Sequence, residues 1–209
     1  MLAQRVISAL VGIPIVLIFI WIGDFGFRLF IALVAILGAV EFFQIAGFSP
    51  SKPLFLFGVI WSSLVVLSAG SAQWSPLIIT AGVVLSLALP ALLPKRPGFM
   101  LHWVWLLGGI MYVGWLFSHA VLLRNLAHGK EWVLLALLVT YAVDVAAFLV
   151  GRRWGRRPLS PQISPGKTWE GTLAGLVAGI VAAVLLGFSL RLPIPPSHLP
   201  LLGVFLGVI

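Results

Sequence analysis

Long apolar stretches alternate with short polar breaks along the whole chain. Runs of close to 20 residues recur, which is the length that an α-helix needs to cross about 30 Å of hydrocarbon. We expect seven spans and part of an eighth, at about residues 6–22, 27–46, 54–70, 76–93, 103–123, 131–150, 169–190 and 198–209. Proline, glycine and charged residues mark the breaks, as at 49–53 and 94–97. The pattern predicts an all-α fold, a polytopic transmembrane helix bundle.

Composition supports an integral membrane protein. Hydrophobic residues make up 61% of the 209 residues and charged residues 9%, whereas soluble domains carry roughly 25% charged residues. No separate soluble domain is visible, so we expect one membrane domain over residues 1–209. Cysteine is absent, which excludes a disulfide framework and a thiolate metal site. The net charge is +8, and the basic residues that produce it lie between apolar spans. Contact with anionic lipid headgroups explains this placement better than binding of nucleic acid does.

The distribution of lysine and arginine predicts a cytoplasmic N-terminus. With that orientation, nine basic residues lie on the cytoplasmic side: Arg5, Lys52, Lys95, Arg96, Arg152, Arg153, Arg156, Arg157 and Lys167. Four lie on the opposite side: Arg28, Arg124, Lys130 and Arg191. This excess is the one that the positive-inside rule describes. The arginine-rich loop at about 151–168 would then face the cytoplasm, where nucleotides are available.

The last apolar run is too short to cross a bilayer. From His198 to Ile209 a helix would reach roughly 18 Å at 1.5 Å per residue. We expect that the chain is truncated within its eighth span, with a re-entrant segment as the alternative.

Charge, hydroxyl groups, glycine and proline concentrate between Asp144 and Gly171. Asp144 lies inside an apolar run, about two helical turns before Gly151. An ionised carboxylate is costly in lipid, so Asp144 should face the bundle interior or a wet cavity and meet a cation there. A structural salt bridge to one of the nearby arginines is the alternative. The arginines themselves also suit a simple topology signal.

Glu41 is a second carboxylate at the predicted cytoplasmic end of the second span. Two carboxylates at similar depth could hold a divalent cation, because such cations favour oxygen ligands. A position near the interface suits a purely structural role equally well.

The segment SPGKTWEG predicts a helix start with an anion site. Ser164 would be the N-cap and Pro165 the first helical residue, which leaves Lys167 and Thr168 in or beside the first turn. Exposed backbone N–H groups and a lysine there would suit a phosphate. The segment is not a Walker A loop, because Pro161 stands where that motif needs glycine. An ordinary capped helix with a lysine at the interface is the alternative.

The block from Asp144 through GRRWGRRPLSPQISPGKTWEG resembles the core of bacterial phosphatidate cytidylyltransferases, also called CDP-diglyceride synthases. Three further segments resemble the first, second and fifth spans of that family: LAQRVISALVGIPIVLIFIWIG, GAVEFFQIAG and YVGWLFSHAVLLRNLAHG. The resemblance therefore runs across the whole chain, and its specific part is the block around Asp144.

The resemblance implies an inner-membrane nucleotidyltransferase. Such an enzyme transfers a cytidylyl group from CTP to phosphatidic acid, with Mg²⁺, and releases CDP-diacylglycerol and pyrophosphate. It implies catalytic roles for Asp144 and Lys167, with Asp144 supporting the metal. The implied substrate-binding residues are Arg152, Arg153, Ser164, Thr168 and Glu170, the last of which would orient Lys167 or a metal-bound water.

The resemblance also carries one departure. Members of the family continue past the eighth span into a cytoplasmic signature with essential acids, so we expect the 209 residues alone to be inactive or nearly so. A small membrane transporter and a non-catalytic membrane protein are the alternative functions. A homodimer is one of the assemblies left open.

Overall fold

The structure is a computed structural model that describes residues 2–49, 53–92, 99–162 and 164–208. The predicted breaks at 50–52 and 94–97 lie outside the described residues. The side chains of residues 2–11, 90–92, 99 and 165 lie outside them as well, which leaves Arg5, Lys52, Lys95 and Arg96 outside the described side chains. By its backbone contacts the chain forms two compact units, Met1–Ala127 and His128–Ile209. The single membrane domain over 1–209 stays a prediction.

The first unit consists of helices. These are α1 (Leu2–Ile22), α2 (Asp24–Ile45), α3 (Pro53–Ser68), α4 (Trp74–Leu92), α5 (Phe99–Gly109) and α6 (Leu116–Arg124), with a π-helical segment, Ile110–Trp115, between the last two. Its core lies where α2 and α3 pack on α5 and the π-helical segment. A Cβ atom at Gly58 or Gly109 would meet the ring of Phe43, which is fully buried between them. The two glycines therefore let the helices close around one aromatic side chain.

The second unit contains the segment with the predicted site. It comprises α7 (Gly129–Trp154), β1 (Pro158–Ser160), β2 (Ser164–Thr168), α8 (Trp169–Ser189) and α9 (Leu199–Val208), with one 3₁₀ turn, Pro196–His198, before α9. The two strands pair antiparallel, with Pro158 opposite Thr168 and Ser160 opposite Ser164. Apolar residues of α7 and α8, among them Leu135, Val139 and Ala183, form a buried core with Leu192.

Glycines on one face of α8 allow close approach of its neighbours. The buried residues of α8 recur every fourth position, as Gly171, Gly175, Gly179, Ala183 and Gly187. A Cβ atom at Gly175 would lie 3.2 Å from Val143 and Ala147 of α7. One at Gly179 would lie 3.0 Å from a carbonyl of α9. The absence of side chains at Gly175 and Gly179 therefore lets α7 and α9 pack closely on α8.

A helical, multi-pass membrane fold fits the structure. Four described helices are long and apolar enough to cross a bilayer: Asp24–Ile45, Met100–Arg124, Gly129–Trp154 and Trp169–Ser189. Shorter apolar helices cover Gly12–Ile22, Pro53–Ser68, Trp74–Leu89 and Pro196–Val208. Each predicted span therefore has a helix at its place, while the count of seven spans and the cytoplasmic N-terminus stay predictions.

The predicted helix start at Ser164 is wrong. Ser164–Thr168 is a strand, and α8 begins at Trp169 with Thr168 as its N-cap. The residue before a proline disfavours the helical region, so Ser164 is extended. Thr168 has extended backbone angles, φ −123° and ψ 152°, and its Oγ1 accepts a hydrogen bond from the Gly171 N–H at 3.2 Å. The true cap thus lies four residues later than the sequence suggests.

The start of the polar loop also differs from its prediction. Helix α7 continues through Gly151 to Trp154, so Arg152 and Arg153 lie in its last turn. Cationic side chains are favourable there, because the C-terminal end of a helix carries partial negative charge.

Candidate active site in the second unit

A cleft of about 380 Å³ lies between α7, the β-hairpin, α8 and α9. Asp144 and Phe148 line it from α7, Lys167 and Thr168 from β2, and Thr172 from α8. The remaining wall is apolar or glycine: Val143, Ala147, Leu159, Gly166, Gly171, Gly175, Gly207 and Val208. The cleft therefore combines one carboxylate, one lysine and an apolar floor.

Asp144 is exposed in this cleft. The expectation that it faces a cavity agrees with this position. Among the described residues no ion pair joins Asp144 to an arginine. The carboxylate oxygens of Asp144 are therefore available to a ligand.

Lys167 is placed by the hairpin rather than by a helix turn. It lies on β2, one residue before the cap of α8, and its side chain is exposed. Strand pairing and the helix cap hold the backbone on both sides, so the ammonium group is presented to the cleft from a fixed base. Asp144 and Lys167 line the same cleft, which places an acid and a cation in one cavity.

The backbone N–H groups at the start of α8 are mostly engaged within the protein. The Trp169 N–H donates to the Arg157 carbonyl at 3.0 Å, and the Gly171 N–H donates to Thr168 Oγ1. Fewer N–H groups are therefore free to bind an anion than the sequence suggests. Lys167 is the main cationic group that lines the cleft. Thr168 acts as the helix cap, and its own hydroxyl proton is left for a further acceptor.

Glu170 contacts the backbone of the hairpin. Its Oε2 accepts hydrogen bonds from the N–H groups of Arg156 and Arg157, at 3.1 and 3.3 Å. Together with the bond from the Trp169 N–H to the Arg157 carbonyl, this contact joins the start of β1 to the start of α8. The structure thus brings Glu170 to two backbone amides, and its expected role of orienting Lys167 would act through the hairpin.

The four arginines are exposed at the hairpin end of α7. The guanidinium of Arg152 lies 5.9 Å from the centre of the Phe148 ring, and that of Arg153 lies 5.3 Å from the Trp154 ring. Since Phe148 also lines the cleft, Arg152 stands next to it, whereas Arg156 and Arg157 contribute backbone amides to the Glu170 contact. Ser164 is half-buried at the far end of β2 and does not line the cleft.

The described residues supply one carboxylate to the cleft. They contain no group of three or more His, Cys, Asp or Glu side chains that could hold a metal alone. Mg²⁺ is commonly held by one or two carboxylates together with substrate phosphates and water, so Asp144 fits such an ion. Glu41 is exposed on α2 and belongs to the first unit, and its part in a metal site stays a prediction.

Sequence reasoning missed three features of the site: the hairpin, the Glu170 contact and the cleft position of Thr172. A signal for the hairpin does exist. The stretches around 158–160 and 164–168 are both short and polar, and Pro161 between them favours a turn. The position of Thr172 follows once the helix starts at Trp169, because Thr172 then lies one turn above Thr168.

The model of the cytidylyltransferase family matches residues 3–209, which is nearly the whole chain. The chain belongs to this family. Both units are covered by the match, including the hairpin and the cleft.

Individual members of the family are similar over most of the chain. The phosphatidate cytidylyltransferase of Pseudomonas aeruginosa is 30% identical over 177 residues, which cover 82% of this chain and 65% of that protein. That of Bacillus subtilis is 27% identical over 214 residues, covering 98% of this chain and 78% of that protein. That of a Synechocystis species is 28% identical over 236 residues, covering 99% and 79%. The chain thus spans about two thirds to four fifths of the length of these relatives.

Proposed function

We propose that the protein transfers a cytidylyl group from CTP to phosphatidic acid, giving CDP-diacylglycerol and pyrophosphate for phospholipid biosynthesis. The observation that carries this proposal is the shared cleft of Asp144 and Lys167 in a family of cytidylyltransferases. Its named relatives are phosphatidate cytidylyltransferases, which supports phosphatidic acid as the acceptor. No described feature specifically favours a transporter or a non-catalytic role.

The composition of the cleft supports a substrate that is part lipid and part phosphate. Phe148, Val143 and Gly175 provide an apolar side between two helices that are long enough to cross a bilayer. Lys167 provides positive charge at the same cleft, and Arg152 stands beside it on Phe148. A phosphatidic acid would place its glycerol and acyl carbons on the apolar side and its phosphate near the lysine.

In the proposed reaction, an oxygen of the lipid phosphate attacks the α-phosphorus of CTP. A new P–O bond forms, the bond from the α-phosphorus to the bridging oxygen of the β-phosphate breaks, and pyrophosphate leaves with that electron pair. Lys167 binds the phosphates and offsets the negative charge that grows on them, which is the main way that proteins accelerate phosphoryl-type transfer. Arg152 and Arg153 attract the phosphorylated substrates, and the hydroxyl of Thr168 is an additional phosphate ligand, whereas Ser164 lies away from the cleft.

Asp144 is the residue that would hold Mg²⁺ in this cleft. The bound ion would neutralise charge on the triphosphate of CTP. Glu170 supports the arrangement indirectly, because its contact with the Arg156 and Arg157 amides holds the hairpin that carries Lys167.

The proposed location is the inner membrane, with the cleft on the cytoplasmic side. Support comes from the excess of lysine and arginine on the side of the hairpin and from the need for cytoplasmic CTP. Anionic headgroups would also be attracted to the exposed arginines at the end of α7.

The central test removes the lysine. In the full-length protein, Lys167→Ala should lower kcat for CDP-diacylglycerol formation by about 100-fold, because a preorganised group facing developing charge is lost. Lys167→Arg should retain part of the activity, since the charge is kept but the compact ammonium is not. Product formation from CTP and dioleoyl phosphatidic acid, followed by mass spectrometry, measures both.

The matched control is Arg191→Gln, which removes one exposed positive charge elsewhere in the second unit. It should leave kcat unchanged. Normal activity of a well-folded Lys167→Ala protein would contradict the proposed role of the cleft.

A further inference from the structure

Two arginines gather at one end of the first unit. Arg28 lies near the start of α2 and donates from Nη1 to the Leu67 carbonyl at 3.4 Å. Arg124 is the last residue of α6 and is only 8% exposed; its Nη2 donates to the Ile20 carbonyl at 3.4 Å. Its Nη1 lies 2.8 Å from Oδ1 of Asp24, which is one helical turn before Arg28 on α2. We call these three charged residues the arginine cluster.

The arginine cluster has donors without acceptors. The Nε atoms of both Arg28 and Arg124 are buried and have no hydrogen-bond partner among the described residues. Buried donors are normally paired, and leaving one unpaired is costly. The cluster also holds two positive charges and one carboxylate, that of Asp24, which pairs with Arg124 and is 63% exposed. Unpaired donors together with surplus positive charge indicate an anionic ligand, and the planar guanidinium fork suits phosphate oxygens in particular.

An apolar cavity of about 340 Å³ lies next to this cluster. Its wall includes Val65, Ala69, Ile79, Trp115 and Leu122. The serine hydroxyls that line it add little polarity, because those of Ser75 and Ser118 already donate to backbone carbonyls.

Gly70 connects the cavity to the cluster. It lines the cavity, and a Cβ atom there would meet the Asn125 amide and lie 4.0 Å from Nη2 of Arg28. The glycine also has φ +84°, a conformation that other residues rarely adopt. A side chain at this position would stand between the cavity and Arg28, so glycine leaves the Arg28 guanidinium close to the cavity wall.

We propose that the arginine cluster and the cavity beside Gly70 form a binding site for an anionic phospholipid. The arginines take the headgroup phosphate, and the cavity takes part of an acyl chain. An apolar cavity adjoining the cationic group favours a lipid over free phosphate. The site lies in the first unit and goes beyond the proposed cytidylyl transfer, whose cleft lies in the second.

The test measures lipid binding to the full-length protein in detergent by native mass spectrometry. Dioleoyl phosphatidylglycerol should bind, and phosphatidylcholine with the same chains should bind at least about tenfold more weakly. Arg28→Gln should weaken phosphatidylglycerol binding by about tenfold, since a charge-assisted contact is lost while a donor to Leu67 is kept. Arg191→Gln is the control with the same loss of charge and should bind like the unchanged protein.

A second variant tests the cavity without disturbing a buried group. Ala72 lines the cavity and is exposed, so Ala72→Trp should fold normally and occupy the space of the acyl chain. It should weaken phosphatidylglycerol binding while leaving any effect of inorganic phosphate on the unfolding temperature unchanged.

Two outcomes would overturn the proposal. Equal binding of both lipids, unaffected by Arg28→Gln, would show that the arginines only cap helix carbonyls. Stabilisation by inorganic phosphate as strong as that by phosphatidylglycerol, with no effect of Ala72→Trp, would show a site for free phosphate and not for a lipid.

Discussion

Asp144 and Lys167 have opposite charges and line one cleft, yet the helix and strand that carry them are separated by the polar turn after α7. In a setting with few charges, each of the two needs a partner or water. The structure records no ion pair between them among the described residues, so both groups are available to a substrate or an ion. An acid that would hold a metal and a lysine that would hold phosphates are complementary parts of a nucleotide-transfer site.

Replacing Asp144 tests the metal half of this site. In the full-length protein, Asp144→Asn should lower kcat by about 100-fold and raise the Mg²⁺ concentration that gives half-maximal rate, because a carboxylate ligand is lost while the side-chain shape is kept. Initial rates over a series of Mg²⁺ concentrations measure both quantities.

Variants of two further carboxylates, Glu131 and Glu41, serve as comparisons for Asp144→Asn. Glu131→Gln changes the first turn of the same helix, at its other end, and should leave the Mg²⁺ dependence unaltered. Glu41→Gln tests separately the prediction that Glu41 takes part in a metal site, for which it should raise the Mg²⁺ requirement. An unchanged Mg²⁺ dependence in Asp144→Asn would show that Asp144 is not a metal ligand.

At the scale of elements, the hairpin carries Lys167 on β2, and Glu170 holds the start of this hairpin through two hydrogen bonds. One carboxylate oxygen accepts two consecutive backbone N–H groups, from Arg156 and Arg157, at the point where the chain enters β1. The same residue lies in the first turn of α8, where a negative charge is favourable. Glu170 therefore joins the start of a helix to the start of a strand, and the proposed positioning of Lys167 would act through this contact.

Removal of this contact should loosen the hairpin without unfolding α8. We expect Glu170→Ala to speed amide hydrogen exchange at Arg156 and Arg157 and to lower kcat, because Lys167 loses its fixed base. Glu170→Gln keeps an acceptor oxygen, so its exchange rate and kcat should lie between those of the unchanged protein and those of Glu170→Ala. Exchange followed by mass spectrometry in the full-length protein measures the loosening.

The control for Glu170 is Glu131→Ala, which removes a carboxylate from the first turn of the other long helix of this unit. It should leave exchange at the hairpin unchanged. If Glu170→Ala reduced kcat with no change in exchange at Arg156 and Arg157, Glu170 would act on the substrate directly rather than through the hairpin.

Helices and hairpin differ in how far sequence predicts them. Long apolar runs carry their own length signal, so every predicted span has a helix at its place, with ends that agree to within a few residues. The hairpin has no such signal, since its strands are three and five residues long and largely polar. Ser164 and Pro165 look like a helix start by residue type, and strand pairing with β1 overrides that preference.

The residues of the candidate sites also differ in how far the sequence predicts them. Asp144 stands out in the sequence because a charge in an apolar run is rare, and Lys167 stands out because it lies in the polar segment SPGKTWEG. The contact of Glu170 with two amides could not be predicted, because it depends on how the chain turns between Trp154 and Pro158. The arginine cluster of the first unit is equally hidden, since Asp24, Leu67 and Arg124 are brought together only by the fold.

At the scale of the molecule, contacts within the first unit agree with helices that cross a bilayer in alternating directions. The breaks after the first, third and fifth predicted spans meet at one end, through the contacts of Asp24 with Arg124 and of Gly70 with Asn125. Helices that cross a bilayer in alternating directions bring these three breaks to the same side. The excess of lysine and arginine elsewhere predicts that this side faces away from the cytoplasm.

Single cysteines can report on this orientation, because the 209 residues contain none. Gln73 and Gln162 are both exposed, the first in the turn before α4 and the second between β1 and β2. With a cytoplasmic N-terminus, a membrane-impermeant maleimide should label Gln73→Cys in spheroplasts and should reach Gln162→Cys only after the membrane is opened. Both positions lie outside the long apolar helices, so differences in labelling reflect the side of the membrane and not burial in lipid. The reverse pattern would place the cleft of Asp144 and Lys167 away from CTP and would contradict both the topology and the proposed reaction.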